Sequence, residues 1–140
     1  MRFDVMVADR LAVFVTMNPG MSLSSAANRL VDEALRMNDH PGIVFRAGPT
    51  GRRAGLASGP DVWEVVRAVK SARAAEPEMG ERELLEMVAG NTGVPVRLLR
   101  VAIGYWAAYP DEVDAKIAAA EAAEEAALQA WRRERELLPG

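Results

Sequence analysis

Residues 2–36 read RFDVMVADRLAVFVTMNPGMSLSSAANRLVDEALR, and how this stretch is divided decides the fold. Its first six residues alternate, with Phe3, Val5 and Val7 on one side and Arg2, Asp4 and Met6 on the other, which is the period of a half-buried strand. Residues 8–17 suit a short helix that Asn18-Pro19-Gly20 would break. Ser22 and Ser24 are good N-caps for a second helix, along which Ala27, Leu30, Val31, Ala34 and Leu35 recur at helical spacing. One strand and two helices cannot cover both faces of the strand. The segment therefore predicts pairing with a second copy, a homodimer.

Working outward, residues 42–46 (GIVFR) and 52–57 (RRAGLA) flank Ala47-Gly48-Pro49-Thr50-Gly51, a turn cluster that predicts a β-hairpin. Arg46, Arg52 and Arg53 gather near its turn. Asp61 is placed to cap a helix over residues 61–69, and a loop around Glu76-Pro77-Glu78 precedes another helix over 81–89. Gly90-Asn91-Thr92-Gly93 reads as a turn, and Pro95 opens a further helix that ends near Tyr109-Pro110. Residues 111–138 are rich in Ala and Glu and predict one long helix. Its apolar stripe (Val113, Ile117, Ala120, Leu128, Trp131, Leu138) is too thin to build a core alone. The expected fold class is mainly α with a small β component, in three parts: residues 1–38, 39–110 and 111–140.

Apolar residues make up 50% of the 140, enough for a packed core. Cysteine is absent, which excludes disulfides and thiol chemistry. Charges interrupt every apolar run, and Asp4 and Asp9 sit where a secretory signal would be apolar, so a cytoplasmic protein without a membrane segment is expected. The net charge of −3 is unevenly spread. Residues 1–110 hold thirteen cationic and twelve acidic side chains, and residues 111–140 hold four and eight. The acidity belongs to the tail.

No enzyme signature stands out. There is one His, no phosphate-binding Gly-Lys-Ser/Thr loop and no His/carboxylate set at metal-ligand spacing, so no cofactor, metal or catalytic residue is expected. His40 reads as structural, and the paired acids Asp32-Glu33 and Glu124-Glu125 as solvated faces.

Two features point to DNA. The first is the predicted strand, short helix, Gly20-Met21-Ser22-Leu23-Ser24 turn and amphipathic helix, which resemble the ribbon-helix-helix repressors of the CopG/Arc type. The resemblance implies that paired strands enter the major groove, with Arg2, Asp4 and Met6 towards the bases and the backbone near Ser22 and Ser24 on a phosphate. The second is helix-turn-helix spacing. Val88-Ala89, Gly93-Val94, Leu99 and Ala102 put small residues where two helices cross and a Gly at the turn, and the second helix would expose Val96, Arg97 and Arg100 to a groove. The Arg46, Arg52 and Arg53 cluster is a third candidate contact.

Residues 24–37 running into 40–46, with Gly51-Arg52-Arg53-Ala54, residues 59–66 and residues 109–114, resemble actinobacterial antitoxin-like proteins of the VapB type. That resemblance implies an antitoxin of a type II toxin-antitoxin system. It would bind double-stranded operator DNA as a dimer and neutralise a PIN-like toxin nuclease through its C-terminal helix. On that helix Val113, Ile117, Leu128, Trp131, Arg132 and Arg135 would meet the toxin. The alternatives are a stand-alone transcriptional regulator with the tail as an oligomerisation helix, or a protein-interaction scaffold that does not bind DNA.

Overall fold

The computed structural model describes residues 2–49, 51–138 and 140. Their elements follow in the order α1 (Val5–Met17), α2 (Leu23–Asp39), β1 (Ile43–Arg46), β2 (Arg53–Leu56), α3 (Val62–Ala75), α4 (Glu81–Thr92), α5 (Val96–Ala108) and α6 (Pro110–Leu137). The protein is thus mainly helical with one small antiparallel sheet. It divides into two compact units, residues 1–41 and 42–140.

The first unit corrects the opening expectation. Val5, Met6 and Val7 are helical, so no strand forms over residues 2–7, and the ribbon that Arg2, Asp4 and Met6 were to line is absent from the described residues. The reason is local. The Asp4 carboxylate accepts the Met6 N–H at 2.9 Å and so caps α1 instead of facing a partner. Phe3, Val7, Leu11 and Phe14 then recur at helical spacing and, with Ala27, Leu30, Val31 and Ala34 of α2, line an apolar groove of about 390 Å³. Phe3 and Val7, four apart, satisfy either period; Val5, the third member of the supposed strand face, is 74% exposed.

The α1–α2 connection follows its sequence. Asn18 donates from Nδ2 to the Phe14 carbonyl at 2.8 Å, and Gly20 takes φ +93°. Ser22 and Ser25 form a capping box at the start of α2. Packing in this unit is sparse, since α1 buries no residue and α2 buries only Ala26 and Glu33. Glu33 is paired with Arg29 at 2.9 Å.

The second unit holds the main core. β1 and β2 pair with Ile43 opposite Leu56 and Arg46 opposite Arg53. Two facing guanidinium groups repel, and Asp61 resolves this by pairing with both, at 3.3 Å from Arg46. Arg46 also donates to the Leu56 and Gly59 carbonyls. Asp61 meanwhile forms a capping box with Glu64, whose carboxylate accepts the Asp61 N–H at 3.0 Å. One buried carboxylate therefore locks the hairpin to the start of α3.

Helix α3 packs against β2, α4, α5 and α6. Leu56, Val62, Val65, Val88, Leu99, Ala102 and Tyr105 form the centre of the core, and Val113 and Ile117 close it from α6. The buried Tyr105 hydroxyl donates to Glu112 at 2.6 Å across the α5–α6 corner. Phe45 meets its ring edge-on, and Tyr109 packs against it at 4.8 Å. Asp114 accepts from both Trp106 Nε1 (2.9 Å) and Lys70 Nζ (2.8 Å), tying α6 to α5 and α3.

The expected long tail helix is present, but its two parts have different surroundings. Up to Ala120 it contributes to the core, whereas every described residue from 121 onward is exposed.

Candidate nucleic-acid interface

Helices α4 and α5 follow one another across a short turn. The turn is shorter than residues 90–93 suggested: Gly90, Asn91 and Thr92 continue α4, and the chain reverses at Gly93-Val94-Pro95. Polar satisfaction explains the shift. Thr92 Oγ1 donates to the Val88 carbonyl at 2.7 Å and accepts the Val94 N–H at 3.2 Å, which closes the end of α4. Gly93 takes φ +76°, the left-handed cap that Gly adopts without a Cβ penalty. Val88, Val94, Leu99 and Ala102, expected at the helix crossing, are all buried.

The outer face of α5 then follows from what its inner face buries. Leu98, Leu99, Ala102 and Tyr105 point inward, leaving Arg97, Arg100, Gly104, Ala107 and Ala108 exposed along one side. Val96, expected to reach a groove, is instead partly buried and packs on the core. The exposed side thus has two cations near the helix start, followed by residues with almost no side chain. A helix with side chains is about 10–12 Å across and a major groove about 12 Å wide, so a thin outer face lets the backbone approach the bases.

Next to this face lies a groove of about 390 Å³ between α3, α4 and α5, lined by Arg73, Arg100 and Glu81 together with Val69, Leu84 and Ile103. Arg73 was missed in the sequence, since it ends α3, far along the chain from α5, and no local spacing connects the two. Glu81 lies 3.5 Å from Arg100 with both side chains more than half exposed, a pair worth at most about 1 kcal/mol.

The other expected DNA contacts are placed differently. Arg46 and Arg53 hold Asp61, and Arg53 also donates to the Ala47 carbonyl at 3.1 Å. Their guanidinium groups are occupied in closing the hairpin. Arg52 is half-buried on the same loop, and Thr50 of the predicted turn lies outside the described residues. Arg2, Met6, Ser22 and Ser24 are exposed on the first unit, with the Ser22 hydroxyl engaged in its capping box.

Of the residues expected to meet a toxin, Val113 and Ile117 are core side chains. Leu128, Trp131, Arg132 and Arg135 are exposed on the distal half of α6, with the Arg135 guanidinium over the Trp131 ring at 5.8 Å. His40 ends α2, its N–H bonded to the Arg36 carbonyl at 2.9 Å. Among the described residues no group of three or more His, Cys, Asp or Glu side chains gathers as a metal site, and no helix is long and apolar enough to cross a membrane. No protein-family model, curated protein or solved structure matches the chain.

Proposed function

We propose that this chain is a DNA-binding regulator of the antitoxin type, reading duplex operator DNA with α5. The observation that carries this is the exposed face of α5: Arg97 and Arg100 share one side of the second helix of a Gly-turned pair, beside the small residues Gly104, Ala107 and Ala108. Arg presents a planar fork that matches guanine edges or phosphate oxygens. Arg73 borders the same groove and supplies a backbone contact. The acidic balance of the whole chain does not oppose this, because the excess acid lies in residues 111–140.

The first unit supplies the dimer. A two-helix hairpin of about forty residues with one buried apolar side chain is too small to stand alone. A second copy would bury Phe3, Val7 and Val31 along its groove. A dimer presents two α5 helices to two half-sites.

The test is fluorescence anisotropy on the duplex upstream of the gene against a scrambled duplex, across a salt series. Selective binding that weakens steeply with salt is expected. The R97A/R100A double variant should lose roughly tenfold or more in affinity while staying dimeric, as each base or phosphate contact of this kind is worth about 1–3 kcal/mol. Equal affinity for both duplexes in wild type and variant would overturn the reading.

The toxin-neutralising half of the antitoxin reading has as its support the distal part of α6, where Leu128, Trp131, Arg132 and Arg135 form an exposed face. An amphipathic helix of this kind lies in a groove of its partner. Co-expression with a PIN-like nuclease should relieve its toxicity, and a W131A variant should not.

A further inference from the structure

We propose that residues 121–137 of α6 pair antiparallel with the same segment of a second copy of the chain, about a two-fold axis near Leu128. The starting point is a length of helix that buries no side chain in its own chain and is tied to it by the Arg67–Glu124 pair at 2.7 Å. These seventeen residues extend about 25 Å at the usual rise, and all of them are exposed, Trp131 by 56% and Leu128 by 40%. Helix propensity alone leaves a segment of this length marginal in water; packing along one face is what ordinarily secures it.

The charges specify the occupant and its direction. On the helix face of Leu128, Glu121 and Glu124 stand seven and four residues before it, and Arg132 and Arg135 stand four and seven residues after it. In a parallel pair each acidic group would face its own copy, and so would each basic group. In an antiparallel pair centred on Leu128, Glu121 faces the other chain's Arg135 and Glu124 its Arg132, twice over by symmetry. An isologous contact needs a self-complementary patch of this kind. Between these charges the same face carries Glu125, Leu128 and Trp131.

The pairing goes beyond the reading above and needs neither DNA nor toxin. A nuclease that used the same face would have to compete with the second copy.

The absence of cysteine makes the test direct. In the full chain, L128C and A120C are made separately, oxidised mildly and run on a non-reducing gel. A disulfide requires Cα atoms within about 7 Å. An antiparallel pair centred on residue 128 should cross-link L128C efficiently and leave A120C, which lies about 24 Å from its own copy, as monomer. A parallel pair would cross-link both, and failure of both would mean that α6 does not pair with itself; either result overturns the proposal.

A charge exchange supplies the second arm. In the L128C background, E121R/E124R or R132E/R135E should each reduce cross-linking by roughly tenfold, since attractive pairs become repulsive on both sides of the axis. Combining all four substitutions in one chain should restore it, because the pattern is then reversed but still complementary. Restoration fails if the helices run parallel. These outcomes are independent of anisotropy on DNA, so loss of one reading leaves the other standing.

Discussion

Asp61 does three jobs with one carboxylate: it ends the repulsion between Arg46 and Arg53, fixes the hairpin to α3 and caps that helix. Removing it leaves two half-buried guanidinium groups facing each other across the strands. We therefore expect D61A to destabilise the protein by about 3–5 kcal/mol, the range for breaking a buried ion pair, read as a lower urea midpoint. D61N, which keeps the cap but not the charge, should fall between. Asp114 is half-buried and is held from two sides. Hydrogen bonds from Lys70, first, and from Trp106 hold its carboxyl below the usual aspartate range. A depressed folded-state value means that the stabilisation is fully present above the ordinary aspartate value and disappears as pH falls through the lower, folded one. Carboxyl NMR should accordingly show Asp114 titrating below the ordinary aspartate value, and K70A should bring it back towards that value. At the proposed DNA face, Glu81, 3.5 Å from Arg100, would compete with a phosphate or base for it. E81Q should tighten operator binding by up to about fivefold, the opposite sign to R97A/R100A, and the gain should shrink with added salt.

Elements were legible in the sequence wherever a single period ran unopposed for three turns. Helices α2, α5 and α6 and the hairpin lie close to where spacing and turn residues put them, and α3 starts at its Asp61 cap but runs to Ala75, past the expected residue 69. Residues 2–7 misled because six residues are too few to separate a period of two from one of 3.6 when Phe3 and Val7 fit both. Extending the window to Leu11 and Phe14 separates them, and the N-cap at Asp4 was the overlooked sign. The candidate site divides in the same way. Arg97 and Arg100 share a helix face and could be paired from spacing, whereas Arg73 reaches their groove only through the packing of α3. Arg46 and Arg53 looked like a free basic cluster because their acidic partner lies well along the chain, at residue 61. The α4–α5 turn carries the element-scale prediction. Gly93 sits at φ +76° with nothing within 4 Å of where a Cβ would stand. Any cost of G93A is then backbone strain alone, about 1 kcal/mol, and G93N should cost less because Asn tolerates the left-handed region. Thermal melts of the two variants separate these outcomes.

At the scale of the molecule, the two halves of α6 make opposite contributions. Val113 and Ile117 close the core of the second unit, while from residue 121 onward the helix buries no side chain in its own chain. Ending the chain after Ala126 keeps both core residues and the Arg67–Glu124 pair at 2.7 Å. Such a protein should unfold at a denaturant midpoint close to that of the full chain, measured at a concentration low enough to exclude association. Ending it before Asp111 removes two buried aliphatic side chains together with the Glu112 acceptor of Tyr105 and the Asp114 acceptor of Trp106. Large-to-small changes at single core positions already cost about 2–5 kcal/mol, against a total stability of about 5–15 kcal/mol for an ordinary domain. The shorter chain should therefore fail to fold, seen as lost near-ultraviolet dichroism and rapid proteolysis. If it folded as well as the chain ending at Ala126, α6 would have to be an appendage along its whole length, and the core described for residues 42–140 would be wrong. The intermediate truncation separates structure from assembly as well. Its operator affinity per α5 helix should match the full chain, and any change in its association state belongs to the residues beyond Ala126.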